Sequence, residues 1–424
     1  MTSPEEAKAR LRILIVTQYF WPENFQINHL SKALRDRGHA VTVLTGKPNY
    51  PAGRFMAGYS MFGRRRDDFD GIPVIRVPLI ARGGGGGLRL ALNYLSFVVS
   101  GVLLGPRWVK GPFDCIFVYE PSPITVGLPA MAMRRATGAP IIFWLQDLWP
   151  ESVTAATGRR WKIFNAPLNW LVRFIYSACE IILIQSQAFR EPVTRAGVDP
   201  RRIVFWPQSV DPLFQPAPPA ADAPEALTAP GFRVVFAGNI GQAQDFETIV
   251  EAADRLRDYP DVRWIIIGDG RRYAWLKQEV ERRGLDHCVR LLGRHPEDAM
   301  PGLFACADAL LVTLRREPIF ALTIPTKIQA YMACGKPIIA GLDGEGARVV
   351  EEAGAGVTVA ASDPEKLAEA VLTVRGLSAD ERSAMGRNGL RYSREKFDRE
   401  MLLDRLEELF MTTIAEARRE TIDR

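Results

Sequence analysis

Apolar residues fall into short unbroken runs, separated by longer stretches in which they return every third or fourth position. Runs at 12–17 (Arg-Ile-Leu-Ile-Val-Thr), 40–45, 115–119, 140–144 and 180–185 lie in the first half, and runs at 232–237, 262–268, 289–292, 309–312, 337–340 and 356–359 in the second. None has the strict in–out alternation of a half-solvated strand, so they read as parallel strands covered on both faces. The stretches 28–38, 245–258 and 271–283 carry helical periodicity, and the repeated strand–helix pattern predicts an α/β protein with two doubly wound, Rossmann-like sheets. Between 212 and 230, Pro216, Pro218, Pro219, Pro224 and Pro230 are mixed with alanines, as in an extended connector. The expected domains are therefore 1–215 and 216–395. A C-terminal helix at 396–424, within a long charged helical stretch at 384–420, is a candidate to cross back to the first domain. Two such domains facing one another are expected to leave a central cleft at the carboxyl ends of their strands, where ligands of these folds bind.

The segment 88–105 is apolar over about the length needed to reach across a bilayer. Arg89, Asn93, Ser96 and Ser100 share one side of a helix, while Leu92, Leu95, Val99, Val102 and Leu103 share another. That pattern predicts an amphipathic helix rather than a span. Glycines at 83–87 precede it, and Arg107, Trp108 and Lys110 follow. Two readings stand: a helix lying at a membrane interface, or one buried against a sheet.

A chain of 424 residues with 47% apolar content exceeds one ordinary core, in keeping with two domains. Its 54 Lys and Arg against 49 Asp and Glu leave a formal charge of +5, which gives no case for nucleic acid as a partner. Local clusters, Arg64-Arg65-Arg66 and Arg315-Arg316, suit phosphates or anionic headgroups. Cys115, Cys179, Cys288, Cys306 and Cys334 are odd in number and scattered, which predicts neither disulfides nor zinc and fits a reducing cytosol. The first twelve residues hold Glu5 and Glu6 and no long apolar run, so no secretory signal is expected. Asp68 and Asp70 have a spacing that can hold a divalent metal, but they sit in a hairpin-like stretch of basic and turn-forming residues. A solvated pair is expected, and no metal site.

Chemistry concentrates in the second half. The stretch 323–340, Thr-Ile-Pro-Thr-Lys-Ile-Gln-Ala-Tyr-Met-Ala-Cys-Gly-Lys-Pro-Ile-Ile-Ala, reads as a loop ended by Pro325, a helix capped by Thr326, and a buried strand. The unpaired N–H groups and partial positive charge of that helix start suit an anion, and Lys327 adds a full charge. Three strands end in glycine-bearing turns containing Gly238, Asn239 and Gly241, Gly268 and Gly270, and Gly293 and Arg294. Glycine there lets a ligand approach the backbone, so a nucleotide site along this sheet edge is expected. Gly46-Lys47 and Gly335-Lys336 are each followed by proline, which excludes a phosphate loop of the Walker type. In the first half, Asp147 follows a buried strand and precedes Trp149-Pro150-Glu151, as an active-site carboxylate or a helix cap. Glu23, Asn24 and His29 lie in or near the loop after the first strand, where His29 could instead be an ordinary helix residue. Glu120 ends another apolar run.

At this level the sequence resembles a known family. Phe236-Ala-Gly-Asn-Ile-Gly241, Ile266-Ile-Gly-Asp-Gly270, Leu292-Gly-Arg294 and the run from Ile324 to Pro337 are similar to the C-terminal half of family 4 retaining glycosyltransferases of the GT-B fold. Gln18-Tyr-Phe-Trp-Pro-Glu-Asn-Phe25, His29-Leu-Ser-Lys-Ala-Leu-Arg-Asp-Arg-Gly-His39, Lys47-Pro-Asn-Tyr-Pro51 and Gln146-Asp-Leu-Trp-Pro-Glu-Ser152 resemble a WbuB-type, fucosamine transferase-like subgroup acting in surface polysaccharide assembly. The resemblance implies a nucleotide-sugar donor held by the C-terminal domain, an acceptor on the N-terminal side, retention at the anomeric carbon, and no required metal or cofactor. By that likeness Gly293 and Arg294 border the base, Thr326 and Lys327 face the pyrophosphate, and Glu317 contacts sugar hydroxyls unless it pairs with Arg315 or Arg316. A polyprenyl-linked glycan acceptor would place the enzyme peripherally on the inner face of the cytoplasmic membrane. Two departures from the family pattern stand out: Ala330 replaces a ribose-gripping glutamate, and Asn239, Gln242 and Gln244 replace a phosphate-binding Arg and Lys, shifting that task to Lys327, Arg315 or Arg316. The same architecture also serves nucleotide-sugar 2-epimerases and non-catalytic sugar-nucleotide-binding subunits.

Overall fold

Fourteen strands form two sheets in a computed structural model that describes residues 10–84, 87–153 and 162–422. Residues 1–9 and two of the five glycines that precede the 88–105 segment lie outside the described residues. In the first sheet are β1 (Arg12–Val16), β2 (Ala40–Thr45), β3 (Arg66–Phe69), β4 (Ile72–Arg76), β5 (Cys115–Glu120), β6 (Ile141–Leu145), β7 (Ile181–Ile184) and β8 (Ile203–Phe205). Their order is β3-β4-β2-β1-β5-β6-β7-β8, parallel throughout except for the β3–β4 hairpin. β5 and β6 are buried along their whole length, as their unbroken apolar sequences require. β3, by contrast, is Arg-Asp-Asp-Phe. It is fixed by the fully buried Arg76, which pairs with Asp67 and donates to the carbonyls of Gly46 (3.1 Å) and Trp21. The Asp68 carboxylate accepts from the Gly71 N–H at 2.8 Å, and Asp70 pairs with Lys32.

The second sheet holds β9 (Phe232–Ala237), β10 (Val262–Ile267), β11 (Val289–Gly293), β12 (Ala309–Thr313), β13 (Ile338–Gly341) and β14 (Gly356–Val359). They are ordered β11-β10-β9-β12-β13-β14 and all parallel. Chain order reverses direction between β1 and β5 in the first sheet and between β9 and β12 in the second. In open α/β sheets such switch points open a crevice beyond the strand ends.

The chain divides into two units: Met1–Gln185, Phe189–Trp206 and Leu403–Arg424 form one, and Ser186–Ala188 with Pro207–Leu402 the other. The proline-rich stretch is not a free connector. It belongs to the second unit, where Ala220 donates to the Gly302 carbonyl at 3.1 Å and Leu227, in the short helix Glu225–Thr228, is fully buried. The charged helical stretch is two helices rather than one. Ala379–Lys396 starts with a capping box between Ser378 and Glu381, and Arg399–Ile422 starts where the Asp398 carboxylate accepts from the Met401 N–H at 2.8 Å. From Leu403 onward the last helix belongs to the first unit, with Phe410 packed edge-on against Phe117 of β5 at 5.7 Å.

The helix Gly87–Trp108 also lies in the first unit. Gly101 and Gly105 let it approach closely: a Cβ on Gly101 would lie 2.7 Å from Pro129 Cγ, and one on Gly105 3.1 Å from Leu44 Cδ2. Its Asn93 is buried, accepting from Gln18 Nε2 at 2.7 Å and donating to the Ile80 carbonyl at 2.6 Å.

Candidate functional site

In the second unit the turns after β9, β10 and β11 are hydrogen-bonded in series. The N–H of Gly238 donates to Ile267 O (2.9 Å), that of Ile240 to Asp269 O (2.8 Å) and that of Gly268 to Gly293 O (2.7 Å). At Gly268 and Gly270 the space of the absent side chain is filled by neighbouring backbone. A Cβ on Gly268 would meet Gly238 O at 1.9 Å, one on Gly270 would meet Ile240 O at 2.3 Å, and Gly241 lies under the side chains of Asn239 and Gln244. Their missing side chains let the turns pack on one another. Gly293, at φ +71° with nothing within 4 Å of its Cβ position, is the one of this set with open space. Arg294 and Asn239 are exposed beside it and on the first turn respectively.

The helix after the Pro325 turn runs Thr326–Ala333. Thr326 is its first helical residue and not its cap: Pro325, at φ −60° and ψ 132°, takes the cap position, and no side chain caps the helix. The Ile328 N–H turns back to the Pro325 carbonyl at 2.9 Å, which leaves those of Thr326 and Lys327 for another acceptor. Tyr331, one turn on, ties the helix to β9 by accepting from the Ala237 N–H at 3.1 Å. Lys327 lies half-buried at the same junction, its Nζ 3.7 Å from the Phe236 ring centroid. A Cβ on Gly238, at φ +136°, would lie 2.5 Å from Lys327 Cε and 2.9 Å from Nζ. Among the described residues no carboxylate pairs with it, and desolvation pulls its amine down to about 7. An unpaired, partly dehydrated lysine beside an uncapped helix start at a switch point is arranged for an anion.

The two arginines after β12 are already engaged. Arg315 pairs with Glu247 at 3.0 Å, which also pairs with Arg272 at 2.8 Å, and Arg316 lies 3.8 Å from Asp343. Gln244 is held behind them, its carbonyl accepting from Thr313 Oγ1 at 2.6 Å. Glu317 is exposed in the turn and forms no ion pair with Arg315 or Arg316. Of the cations considered for a diphosphate, Lys327 is the one without a carboxylate.

In the first unit, Glu120 and Asp147 meet where β5 and β6 end. Glu120 is wholly buried, and its Oε2 accepts from the Asp147 N–H at 3.2 Å. Burial, followed by the nearby Asp147 charge, pushes its carboxyl well above the usual range, so it stands behind Asp147 as a support and does not present itself to an acceptor. Asp147 is half-buried. Burial raises its carboxyl above the usual range too. Ser122 holds φ +121°, a strained value for a residue with a Cβ, and Tyr94 of the helix Gly87–Trp108 packs edge-on against Trp149 at 6.4 Å.

Glu23 is likewise a brace. It is 2% exposed, with Oε1 accepting from Asn49 and Tyr50 N–H (2.7 and 2.8 Å) and Oε2 from Phe20 N–H (3.2 Å). Desolvation raises it to about 7 despite these three donors. Asn24 and His29 are exposed, His29 on the helix Gln26–Asp36. Sequence reasoning missed the cluster nearby: Arg82 lies over the rings of Tyr19 and Tyr50 (5.8 and 5.1 Å), with Phe25 stacked on Tyr19 at 5.3 Å. The aromatic residues of the 18–25 and 47–51 runs were its visible sign.

This pair of parallel-sheet units defines the GT-B class. HepE of Anabaena, solved in complex with UDP, shares the fold with a TM-score of 0.68 over 95% of this chain and 100% of that one, at 17% identity. Residues 24–208 match the glycosyl transferase 4-like domain model and residues 231–375 the glycosyl transferases group 1 model. WbjE of Pseudomonas aeruginosa, named as a glycosyltransferase, is 31% identical over 62% of this chain and 68% of its own. WcaI of Escherichia coli K12, whose name assigns it as a glycosyl transferase to colanic acid biosynthesis, is 27% identical over 71% of this chain and 75% of its own. The chain belongs to this group 1, family 4 type of GT-B glycosyltransferases.

Proposed function

We propose that the protein moves a hexose of N-acetylated or deoxy type from a nucleoside diphosphate to a lipid-linked glycan, with retention at the anomeric carbon, in assembly of a surface polysaccharide. The WbuB-type subgroup remains our reading of its nearest functional kin, and the colanic acid assignment of WcaI supports a polysaccharide product. The UDP bound to HepE supports a nucleotide-sugar donor.

The observation that carries this reading is Lys327, an unpaired amine held against Gly238 beside the uncapped start of Thr326–Ala333. In transfer, the bond from the anomeric carbon to the diphosphate oxygen breaks, the acceptor oxygen bonds to that carbon, the diphosphate leaves with the electron pair, and the acceptor hydroxyl's proton passes to the departing diphosphate. Lys327 and the N–H groups at Thr326 meet the growing negative charge. Gly293 and Arg294 border the base, Glu317 contacts sugar hydroxyls, and Asp147, backed by Glu120, orients the acceptor hydroxyl.

The test is a panel of nucleotide sugars scored by thermal stabilisation and by turnover with lipid extract. Lys327→Met should abolish stabilisation by the best donor, and the product should keep the donor's anomeric configuration by NMR. No stabilisation and no turnover across the panel would overturn the proposal. A donor isomerised without any acceptor would assign an epimerase instead.

A further inference from the structure

The helix Gly87–Trp108 is turned inside out relative to an ordinary surface helix. Its polar side faces the protein: Asn93 bonds Gln18 and Ile80, Ser96 Oγ accepts from the Ile80 N–H at 2.9 Å, and Arg89 Nε donates to the Ala81 carbonyl at 3.2 Å. Gly101 and Gly105 continue that inner side. On the opposite side Leu88, Leu92, Leu95, Val99 and Leu103 form an exposed stripe, from 40% exposed at Leu92 to 79% at Leu88. A surface helix in water buries its apolar stripe and solvates its polar one. A contiguous apolar stripe left outside marks a binding surface.

The charge around the stripe identifies what covers it. At the Trp108 end, Arg65 stacks on the Trp108 ring at 4.1 Å, which brings the loop before β3 alongside the helix. That loop exposes Phe62 (81%) next to Arg64, Arg65 and Arg66, and its backbone is held by Lys47, whose Nζ donates to the Gly63 carbonyl at 2.8 Å. Arg107 and Lys110 are exposed at the same end. From 71 to 113 the sequence has no Asp or Glu. Arg64 is taken up by Asp67 at 3.2 Å, and the cations left to the rim are Arg65, Arg66, Arg107 and Lys110. An apolar helix strip that holds no acid and is bordered by these four cations complements a bilayer with anionic headgroups.

We infer that the helix Gly87–Trp108 and the Phe62 loop together are a docking face for an anionic membrane, lying in its interface and not crossing it. Spanning would strip the bonds of Asn93 and the packing of Gly101 and Gly105. The same helix carries Tyr94, whose ring packs edge-on against Trp149, two residues past Asp147, at 6.4 Å between centroids, so docking sets the acceptor-side carboxylate at the membrane surface. This inference rests on the lipid-linked acceptor proposed above only for its purpose, not for its observations.

The experiment is co-sedimentation of the full chain with vesicles of phosphatidylglycerol and phosphatidylcholine, against phosphatidylcholine alone. Wild type should bind the anionic vesicles in a salt-sensitive way. Leu95→Glu with Val99→Glu, and separately Arg65→Glu with Arg66→Glu, should each lower the bound fraction roughly tenfold or more. These positions are exposed, so melting temperature and turnover of a water-soluble acceptor analogue should not change. Val99→Trp supplies a reading that needs no loss: its emission should shift to the blue when anionic vesicles are added. Equal sedimentation of wild type and the Leu95/Val99 variant would overturn the inference, as would a lipid-free dimer that this variant dissociates. Vesicle binding uses neither donor nor acceptor, so it stands or falls independently of transferase activity.

Discussion

His39 and Glu407 lie 368 positions apart in sequence and 3.0 Å apart in space, Nε2 to Oε1, with both side chains buried. Leu11 N–H donates to His39 Nδ1 at 3.2 Å, so Nδ1 carries the lone pair and the Nε2 proton points to Glu407. Arg37 reaches the other carboxylate oxygen at 3.1 Å and Asp404 at 2.7 Å. One carboxylate on the last helix thus joins two residues next to β2.

Glu407→Ala should therefore destabilise the first unit by about 2–4 kcal/mol, because it leaves a buried imidazole N–H and part of a guanidinium without an acceptor. Asp404→Ala, at a half-exposed position, should stay within about 0.5 kcal/mol. Calorimetric melting of both variants checks the contrast, and equal shifts would show that Glu407 is replaceable.

Lys327 predicts a pH dependence with a definite sign. Its amine is depressed from 10.5 to about 7 in the folded chain. Between those values the unfolded chain holds a proton that the folded chain has released, so this group makes stability rise with pH from about 7 to 10.5 and contributes no slope below. Lys327→Met should remove that rise in melting temperature. A bound diphosphate should pull a proton back onto the amine, so calorimetry of nucleotide binding at pH 8 in buffers of different ionisation heat should show uptake approaching one proton.

Gly268→Ala should cost about 2–4 kcal/mol and weaken nucleotide binding, since the residue sits at φ +142° with its Cβ position 1.9 Å from Gly238 O. Gly284→Ala is the matched control. It has φ +66° but open space, and should cost about 1 kcal/mol with unchanged ligand affinity. Thermal melts with and without nucleotide separate the two.

Glu23→Gln should cost about 1–3 kcal/mol although it removes no volume. An amide keeps one acceptor oxygen for Asn49 and Tyr50 but turns N–H groups toward the Phe20 N–H. Urea unfolding compares the variants; Glu23→Asp, too short to reach both loops, should be no better.

Much of this architecture was written in local pattern. β5, β6 and β10 read correctly because a strand buried on both faces needs an unbroken apolar run. Lys327 stood out because Pro325 and Gly335 bracket its helix. β3 was legible only as a hairpin-like stretch, which the antiparallel β3–β4 pair bears out; Arg-Asp-Asp-Phe has no apolar run to mark the strand itself, which Arg76 and Asp67 fix. Thr326 suggested a cap by residue type, but cap identity depends on backbone angles that Pro325 already supplies. The strand-end glycines suggested a ligand because sequence does not show that the atoms meeting a Cβ at Gly268 and Gly270 belong to a neighbouring turn. Periodicity at 88–105 told that the helix has two sides. Which one faces the protein was fixed by partners at Gln18, Ile80 and Pro129 that no window of sequence contains.

The membership of residues 403–424 in the first unit has a consequence for biosynthesis. At roughly 5–20 residues per second the ribosome needs on the order of tens of seconds after making Trp206 to deliver Glu407 and Phe410. Through that interval the first sheet waits with the face around Phe117 uncovered, so of the two units the one begun before the other is completed after it.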